Sequence, residues 1–284
     1  MAEEGKGKAE TGKGKAEEKD EVENGTEGIC PMYQVVFERT YDAGVKLREF
    51  SGIDVHGAHI LDSFPSLSLT SILCCGYLTE QLDLPLVGVI SCSQMAPKCV
   101  IQGSAASHVI RIHGDRRLVV IQCEYKLPNA EVSNGIISAI LDFAQRHNSA
   151  GIITIEGMPR EKVEDYDTVQ YLSTSSQFAK VMKEQGHKPV TSGVIAGMTG
   201  LMLAEAPLHN QHVSCMLSSC LASHPDPRAA VSIIKAMKSF LECEVDTTDL
   251  ESKANKIDEA VKSLLRDNQQ QEELSSSFPD GMYM

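Results

Sequence analysis

Apolar positions along the middle of the chain follow two different spacings, which predict strands and helices in turn. Dense β-branched runs at Pro85–Ser91 and Ala150–Ile155 are typical of strands buried on both faces. The segment Glu131–His147 instead repeats its apolar residues at helical spacing. Strands that alternate with helices in this way indicate an α/β layer architecture.

Shorter signals of the same two kinds complete the predicted domain. Strands are also expected at Gln34–Phe37, Ala58–Leu61, His108–Ile112, Arg117–Cys123 and Val213–Leu217. Helices are also expected at Ser66–Leu82, at Ser175–Gln185 and from Pro227 onward. Because Gly114-Asp115 favours a hairpin turn, one antiparallel pair is expected. We therefore expect one α/β domain over residues 29–245, with a mixed, largely parallel sheet.

The two ends of the chain differ from this domain in composition. Residues 1–28 are highly charged with little apolar content, which predicts a disordered tail. Residues 246–267 carry an apolar stripe that includes Leu250, Ile257 and Val261, which predicts a C-terminal helix. Residues 268–284 are mostly polar before an apolar tip, so we expect a flexible tail.

The net charge of −13 excludes two classes of partner. Nucleic acid and anionic membranes are bound through clustered positive charge, so neither is expected here. The charge lies mainly at the ends: residues 1–28 carry −4 and residues 246–284 carry −5, against −4 for the 217 residues between them. The acidity is therefore a property of the terminal segments.

Nine cysteines occur, mostly within apolar stretches, and no two of them form a Cys-x-x-Cys pair. Many buried free thiols suggest a reducing compartment. No apolar run resembles a signal peptide or is long enough to span a membrane. We expect a soluble intracellular protein in the cytoplasm, with the nucleus as a second location.

Three glycines, Gly193, Gly197 and Gly200, stand at the head of an apolar run. A glycine-rich turn that enters a helix can cradle an anionic ligand. The alternative is close backbone packing, which the absence of a following Lys and the unusual spacing favour. These residues are candidates for a ligand turn, with packing as the preferred interpretation.

Motifs for catalysis and for metal binding are weak. His209 and His212 have no third ligand at a suitable spacing, so no metal site is expected. Glu124 and Glu156 each follow a predicted strand and could face one cleft as a carboxylate pair. Acidic residues at strand ends are common without catalysis, so we predict no enzymatic activity and no cofactor.

The chain ends in Met282-Tyr283-Met284, a hydrophobic–Tyr–any sequence on a polar lead. A flexible lead keeps such a tip accessible, its side chains can fill a pocket, and a terminal carboxylate can pair with a Lys of the partner. Three residues also match this pattern by chance. We take Met282, Tyr283 and Met284 as the candidate partner-binding residues.

Several motifs in order along residues 55–243 resemble the proteasome assembly chaperone family, in its second-subunit and archaeal branch. The resemblance rests on Asp62-Ser-Phe-Pro65, the predicted strand Pro85–Ser91, Ala150–Ile155 with Glu156-Gly-Met-Pro159, the segment Gly193–Leu203 and the helix start Asp226–Ala230.

This resemblance implies a fold and a function. It implies a three-layer α/β/α sandwich related to phosphorylases and hydrolases, without enzymatic activity. It also implies binding to proteasome α-subunits, with Met282-Tyr283-Met284 inserted between adjacent α-subunits, and a partnership with a second copy or a paralogous chaperone. One departure concerns the turn after Phe64-Pro65, where family members often have glycines and this chain has Ser66-Leu-Ser68-Leu.

Two alternatives remain open from the sequence. The same fold class could carry a phosphorylase- or hydrolase-like enzyme with a site near Gly193 and Glu156. The protein could also bind mature proteasomes as an activator or a tether.

Overall fold

A sheet of ten strands forms the centre of the protein in the computed structural model, which describes residues 32–102, 105–222, 224–241 and 245–252. Its strands run in the order β1-β2-β4-β7-β8-β3-β9-β12-β10-β11, and β5 and β6 form a separate pair. The strands are β1 (Val35–Thr40), β2 (Val45–Phe50), β3 (His59–Ser63), β4 (Leu86–Cys92), β5 (Val100–Gln102), β6 (Ala105–Ser107), β7 (Ile110–Gly114), β8 (Leu118–Cys123), β9 (Gly151–Arg160), β10 (Gln170–Ser173), β11 (Lys188–Pro189) and β12 (Val213–Leu221).

Helices cover both faces of this sheet, which confirms the three-layer α/β/α prediction. Helices α2 and α4 pack on one face, and helices α1, α3 and α5 pack on the other. Their bounds are α1 (Thr70–Gln81), α2 (Ala130–Arg146), α3 (Ser176–Glu184), α4 (Gly197–Glu205) and α5 (Pro227–Leu241). A sheet buried on both faces needs strands that are apolar on both sides.

Alternate residues of the central strands point to opposite layers. On β3, Ile60 packs beneath α2 whereas Leu61 packs beneath α1 and α5. On β9, Ile152 packs in the layer of α2 and α4, whereas Ile153 packs in the layer of α1 and α5. This period of two explains why the central strands read as continuous apolar runs in the sequence.

The sheet is mixed, as predicted, and its parallel pairs are the central strands and the edge pair β10–β11. Strands β8, β3, β9 and β12 are parallel neighbours. The pairs β1–β2, β2–β4, β4–β7, β7–β8 and β10–β12 are antiparallel. The largely parallel expectation is therefore only partly confirmed, because short connections such as that between β7 and β8 favour antiparallel neighbours.

The strand β2, which the apolar pattern of the sequence does not predict, is an antiparallel neighbour of both β1 and β4. Its residues alternate between the core and the surface along Val45–Phe50, and Val45 and Leu47 are fully buried. The charged residues between them interrupt the apolar run, so the segment lacks the dense signal of a central strand.

The chain after α5 returns to the domain. Residues 248–252 are helical, and Leu250 is buried against the layer of α1 and α5. The Tyr77 hydroxyl donates a hydrogen bond to the carbonyl oxygen of Asp246 at 2.7 Å. The start of the predicted C-terminal helix therefore docks on this layer, while its remainder and the predicted tails at 1–28 and 268–284 lie outside the described residues.

The turn between β3 and α1 uses a left-handed backbone at two residues that are not glycine. Ser68 has a φ of 57° and Leu69 a φ of 53°, and Leu69 is the N-cap residue of α1. Both residues belong to the segment Ser66–Leu69 that follows Phe64-Pro65. The left-handed conformation, which glycine favours, costs about 1–2 kcal/mol for each residue with a Cβ.

We expect Leu69→Gly to be more stable than Leu69→Ala by about 1 kcal/mol, because only the alanine keeps the Cβ that opposes this conformation. The free energies of unfolding of the two variants, from urea titrations, measure the difference. The matched pair is Lys180→Gly and Lys180→Ala on the exposed face of α3, where alanine should be the more stable by about 1 kcal/mol. The same order of stability at both positions would contradict a strained Leu69.

Candidate functional site

A cavity of about 720 Å³ opens where β3 and β9 end and α4 begins. Phe64, Pro65 and Ser66 follow β3 and form one side of it. A second side is formed by residues 156–160 of β9, and a third by residues 194–199 before and within α4. Leu217 of β12 also lines the cavity. The carboxyl ends of parallel strands are the usual location for ligand sites in α/β sheets.

The three glycines of the candidate ligand turn have separate roles. A Cβ on Gly200 would overlap the carbonyl oxygen of Ile195, so this glycine is required for packing. Gly197 begins α4 with a φ of 73° and lines the cavity, and no atom lies within 4 Å of the position of its missing Cβ. Gly193 is not among the lining residues and has equally open space. The preferred packing interpretation therefore fits Gly200 but not the other two.

Glu156 is the acidic residue of the cavity. The hydroxyl of Thr199 and the backbone amide of Gly157 donate hydrogen bonds to its carboxylate. Burial nevertheless raises the pKa of Glu156 above its usual value. Thr199 belongs to the first turn of α4, so the position of this helix fixes the carboxylate at the wall of the cavity.

Asp62 lies behind Glu156 in the sheet and was not predicted as a site residue. It faces the same layer as Glu156, because Leu61 and Ile155 beside them both pack against the opposite layer. Asp62 is 3% exposed, and neither carboxylate oxygen has a hydrogen-bond partner in the described part of the chain. Burial and the nearby charge of Glu156 raise the pKa of Asp62 to about 7.

The carboxylate pair expected from the sequence was Glu124 with Glu156, and the structure pairs them differently. Glu124 forms a salt bridge with the buried Arg111. The neighbour of Glu156 is Asp62, whose position directly before Ser-Phe-Pro65 was noted only as part of the family resemblance. The register of β3 beside β9, with Asp62 opposite Thr154, could not be obtained from spacing along the chain.

Other candidate residues have structural surroundings. Asp226 accepts hydrogen bonds from the amides of Leu221 and Arg228 and from the hydroxyl of Tyr166, so it holds the start of α5. His209 ends a 3₁₀ turn and His212 precedes β12. Within the described residues, no group of three potential ligands could hold a metal ion.

The described cysteines are free thiols, and most of them are buried. All seven of them are free, and Cys74, Cys75, Cys123, Cys215 and Cys220 are buried. Cys215 lies on β12 near Glu156 and Asp62, and burial raises the pKa of its thiol to about 12. A thiol with such a high pKa stays protonated near neutral pH and is a poor nucleophile.

Met282, Tyr283 and Met284 lie outside the described residues, so their proposed role in partner binding stays a prediction. None of the helices in the described ranges is long and apolar enough to cross a membrane.

We expect Asp62→Asn to increase stability at pH 8 and to change it little near pH 4. The folded protein holds the proton of Asp62 up to about pH 7, whereas the unfolded chain loses it near pH 4, so this residue costs stability as the pH rises between those values. The difference between variant and wild type should reach at most about 4 kcal/mol at pH 8. Urea unfolding of both proteins at the two pH values measures it.

Asp54 provides the matched control, because the backbone amide of His56 and the guanidinium of Arg116 both donate to its exposed carboxylate and lower its pKa. Asp54→Asn should therefore reduce stability at pH 8, whereas Asp62→Asn should increase it. An effect of Asp62→Asn that does not depend on pH would contradict the buried proton at Asp62.

Structural comparison identifies proteins of the same fold. A Pyrococcus furiosus protein, PbaA, described as an archaeal homolog of proteasome-assembly chaperone, is 24% identical with a TM-score of 0.69. That match covers 81% of this chain and 99% of PbaA. PbaB of Pyrococcus furiosus, described as an archaeal proteasome activator, is 18% identical with a TM-score of 0.68, and the match covers 78% of this chain and 98% of PbaB.

A more distant neighbour has the same architecture. A Mycobacterium tuberculosis protein described as a proteasome-assembly chaperone homologue is 12% identical with a TM-score of 0.55. The match covers 72% of this chain and 94% of that protein. No curated protein sequence matches the chain. The sequence profile of the PAC2 family, however, matches residues 60–265, which is most of the chain and includes every residue of the cavity, and the protein therefore belongs to the PAC2 family.

Proposed function

We propose that this protein is a non-enzymatic chaperone or adaptor of proteasome assembly that binds proteasome α-subunits. The observation that carries the proposal is membership of the PAC2 family. It is supported by PbaA, described as a homolog of proteasome-assembly chaperone, and by PbaB, described as a proteasome activator, which share the fold over most of the chain. The protein would act in the cytoplasm and the nucleus, as an oligomer of its own copies or with a paralogous chaperone.

The C-terminal residues supply the contact in this proposal. Tyr283 fills a pocket between adjacent α-subunits, Met282 adds apolar area, and the carboxylate of Met284 pairs with a Lys of the pocket. In the sequence, residues 268–281 lie between the predicted C-terminal helix and this tip, and they act as the tether. Two or more such tips on one assembly would gain affinity through multivalency.

Two other functions share this framework and differ in what they bind. An activator or tether would bind mature proteasomes. The description of PbaB as an archaeal proteasome activator supports this alternative. A phosphorylase- or hydrolase-like enzyme would use the cavity beside Glu156, the one wall residue whose carboxylate has a raised pKa. Capture of free α-subunits favours the assembly role, capture of whole particles alone favours the activator, and turnover without either favours the enzyme.

Deleting Tyr283 and Met284 should reduce capture of α-subunits at least tenfold, because the pocket then loses its aromatic group and the original terminal carboxylate. Surface plasmon resonance with immobilised α-subunits measures the affinity, and circular dichroism checks that the domain is folded. Phe278→Ala is the matched control, since it removes an aromatic residue from the same tail outside the motif. Unchanged affinity after the deletion would contradict the tail mechanism and leave the family assignment intact.

Capture should also weaken as salt rises from about 50 to 500 mM, because the −5 charge of residues 246–284 would face a basic rim on the partner. The variant Glu272→Gln/Glu273→Gln should lower the dependence of the affinity on salt. Glu161→Gln/Glu164→Gln, a change of equal charge within the domain, should leave that dependence unaltered. Affinity that does not respond to salt in the wild type would contradict this electrostatic contribution.

A further inference from the structure

The cavity beside α4 has apolar walls and a size that suits a small ligand. Its lining includes the apolar side chains of Phe64, Met158, Ile195, Met198 and Leu217. Its volume of about 720 Å³ lies within the usual range for ligand sites, roughly 300–1,000 Å³. These walls would accept aliphatic side chains and would exclude water from any polar contact made between them.

One end of the cavity carries acidic groups without a cation. Glu156 lines the wall there, and the buried Asp62 behind it has two carboxyl oxygens without hydrogen-bond partners in the described ranges. Neither acid forms a salt bridge with a Lys, Arg or His of the described residues. Burial of unpaired carboxylates is costly, and a ligand that supplies an ammonium group or N–H donors at Glu156 would reduce that cost.

The other end of the cavity carries positive charge without an anion. Arg160 lies four residues beyond Glu156 on β9 and also lines the cavity. Its guanidinium forms no ion pair within the residues that the structure describes. Guanidinium groups bind carboxylates through two parallel hydrogen bonds, so Arg160 is a suitable partner for a carboxylate of the ligand.

The separation of these two charges sets the length of a ligand that could bind both. Residues four apart on a strand have Cα atoms about 13 Å apart and lie on the same face of the sheet, so a ligand that contacts both has to span roughly that distance. An extended tripeptide is about 10 Å long, and a dipeptide about 7 Å. We propose that the cavity binds short peptides with apolar side chains, whose free amino terminus contacts Glu156 and whose carboxylate contacts Arg160.

Isothermal titration calorimetry of the full chain with the tripeptide Leu-Gly-Leu tests this assignment. The same peptide with an acetylated amino terminus lacks the cation, and the peptide with a C-terminal amide lacks the anion. The unmodified peptide should bind with a stoichiometry of one, and each blocked form should bind about tenfold to a hundredfold more weakly, as expected for the loss of one charge-assisted hydrogen bond.

Two variants assign each end of the peptide to its residue. Glu156→Gln should remove the preference for the free over the acetylated peptide, and Arg160→Gln should remove the preference for the free acid over the amide. Glu161→Gln and Arg116→Gln, which change exposed residues outside the cavity, should keep both preferences. Circular dichroism of each variant shows whether it is folded.

The three peptides bound to the wild-type chain decide the outcome even if a variant does not fold. No saturable binding up to about 10 mM, or equal affinity for all three peptides, would overturn the assignment. So would a folded Glu156→Gln variant that keeps the preference for the free amino terminus. This result is independent of α-subunit capture, because the tail variants and the cavity variants change different residues and are measured with different ligands.

Discussion

Burial of the central strands on both faces is the constraint on which the rest of the molecule depends. Strands β8, β3, β9 and β12 carry apolar side chains toward both helical layers, so their alignment is fixed by packing on two sides. A shift of β3 by one residue would exchange Ile60 with Leu61 and place Asp62 in the opposite layer. The alignment of the acid pair with the cavity is therefore a result of core packing.

The same constraint explains what the sequence alone could predict. The runs Pro85–Ser91 and Ala150–Ile155 are dense in apolar residues because both faces are covered, and both were located correctly as β4 and the start of β9. The strand β2 was missed because one face of it is less covered and holds charged residues. The largely parallel sheet was overestimated because the direction of β2 and β10 depends on neighbours that are distant in sequence.

The candidate site was predicted in part, for a related reason. Glu156 and Gly197 could be chosen from local patterns, one after a strand and the other at a helix start. The role of Asp62 depends on the register of β3 against β9, and the role of Arg160 depends on its sharing a strand with Glu156 that extends further than predicted. The spacing of residues along the chain reveals neither the register of β3 against β9 nor the full length of β9. The resemblance to family motifs was more informative here than chemistry, because it marked Asp62 without assigning it a role.

The docked turn at residues 248–252 places the last described residues on the layer of α1 and α5, whereas the cavity opens beside α4 in the other layer. The sheet therefore separates the origin of the C-terminal segment from the cavity. A peptide held beside Glu156 would therefore not contact the docked turn at residues 248–252. Any coupling between the cavity and this turn would have to be transmitted through the shared strands β3 and β9.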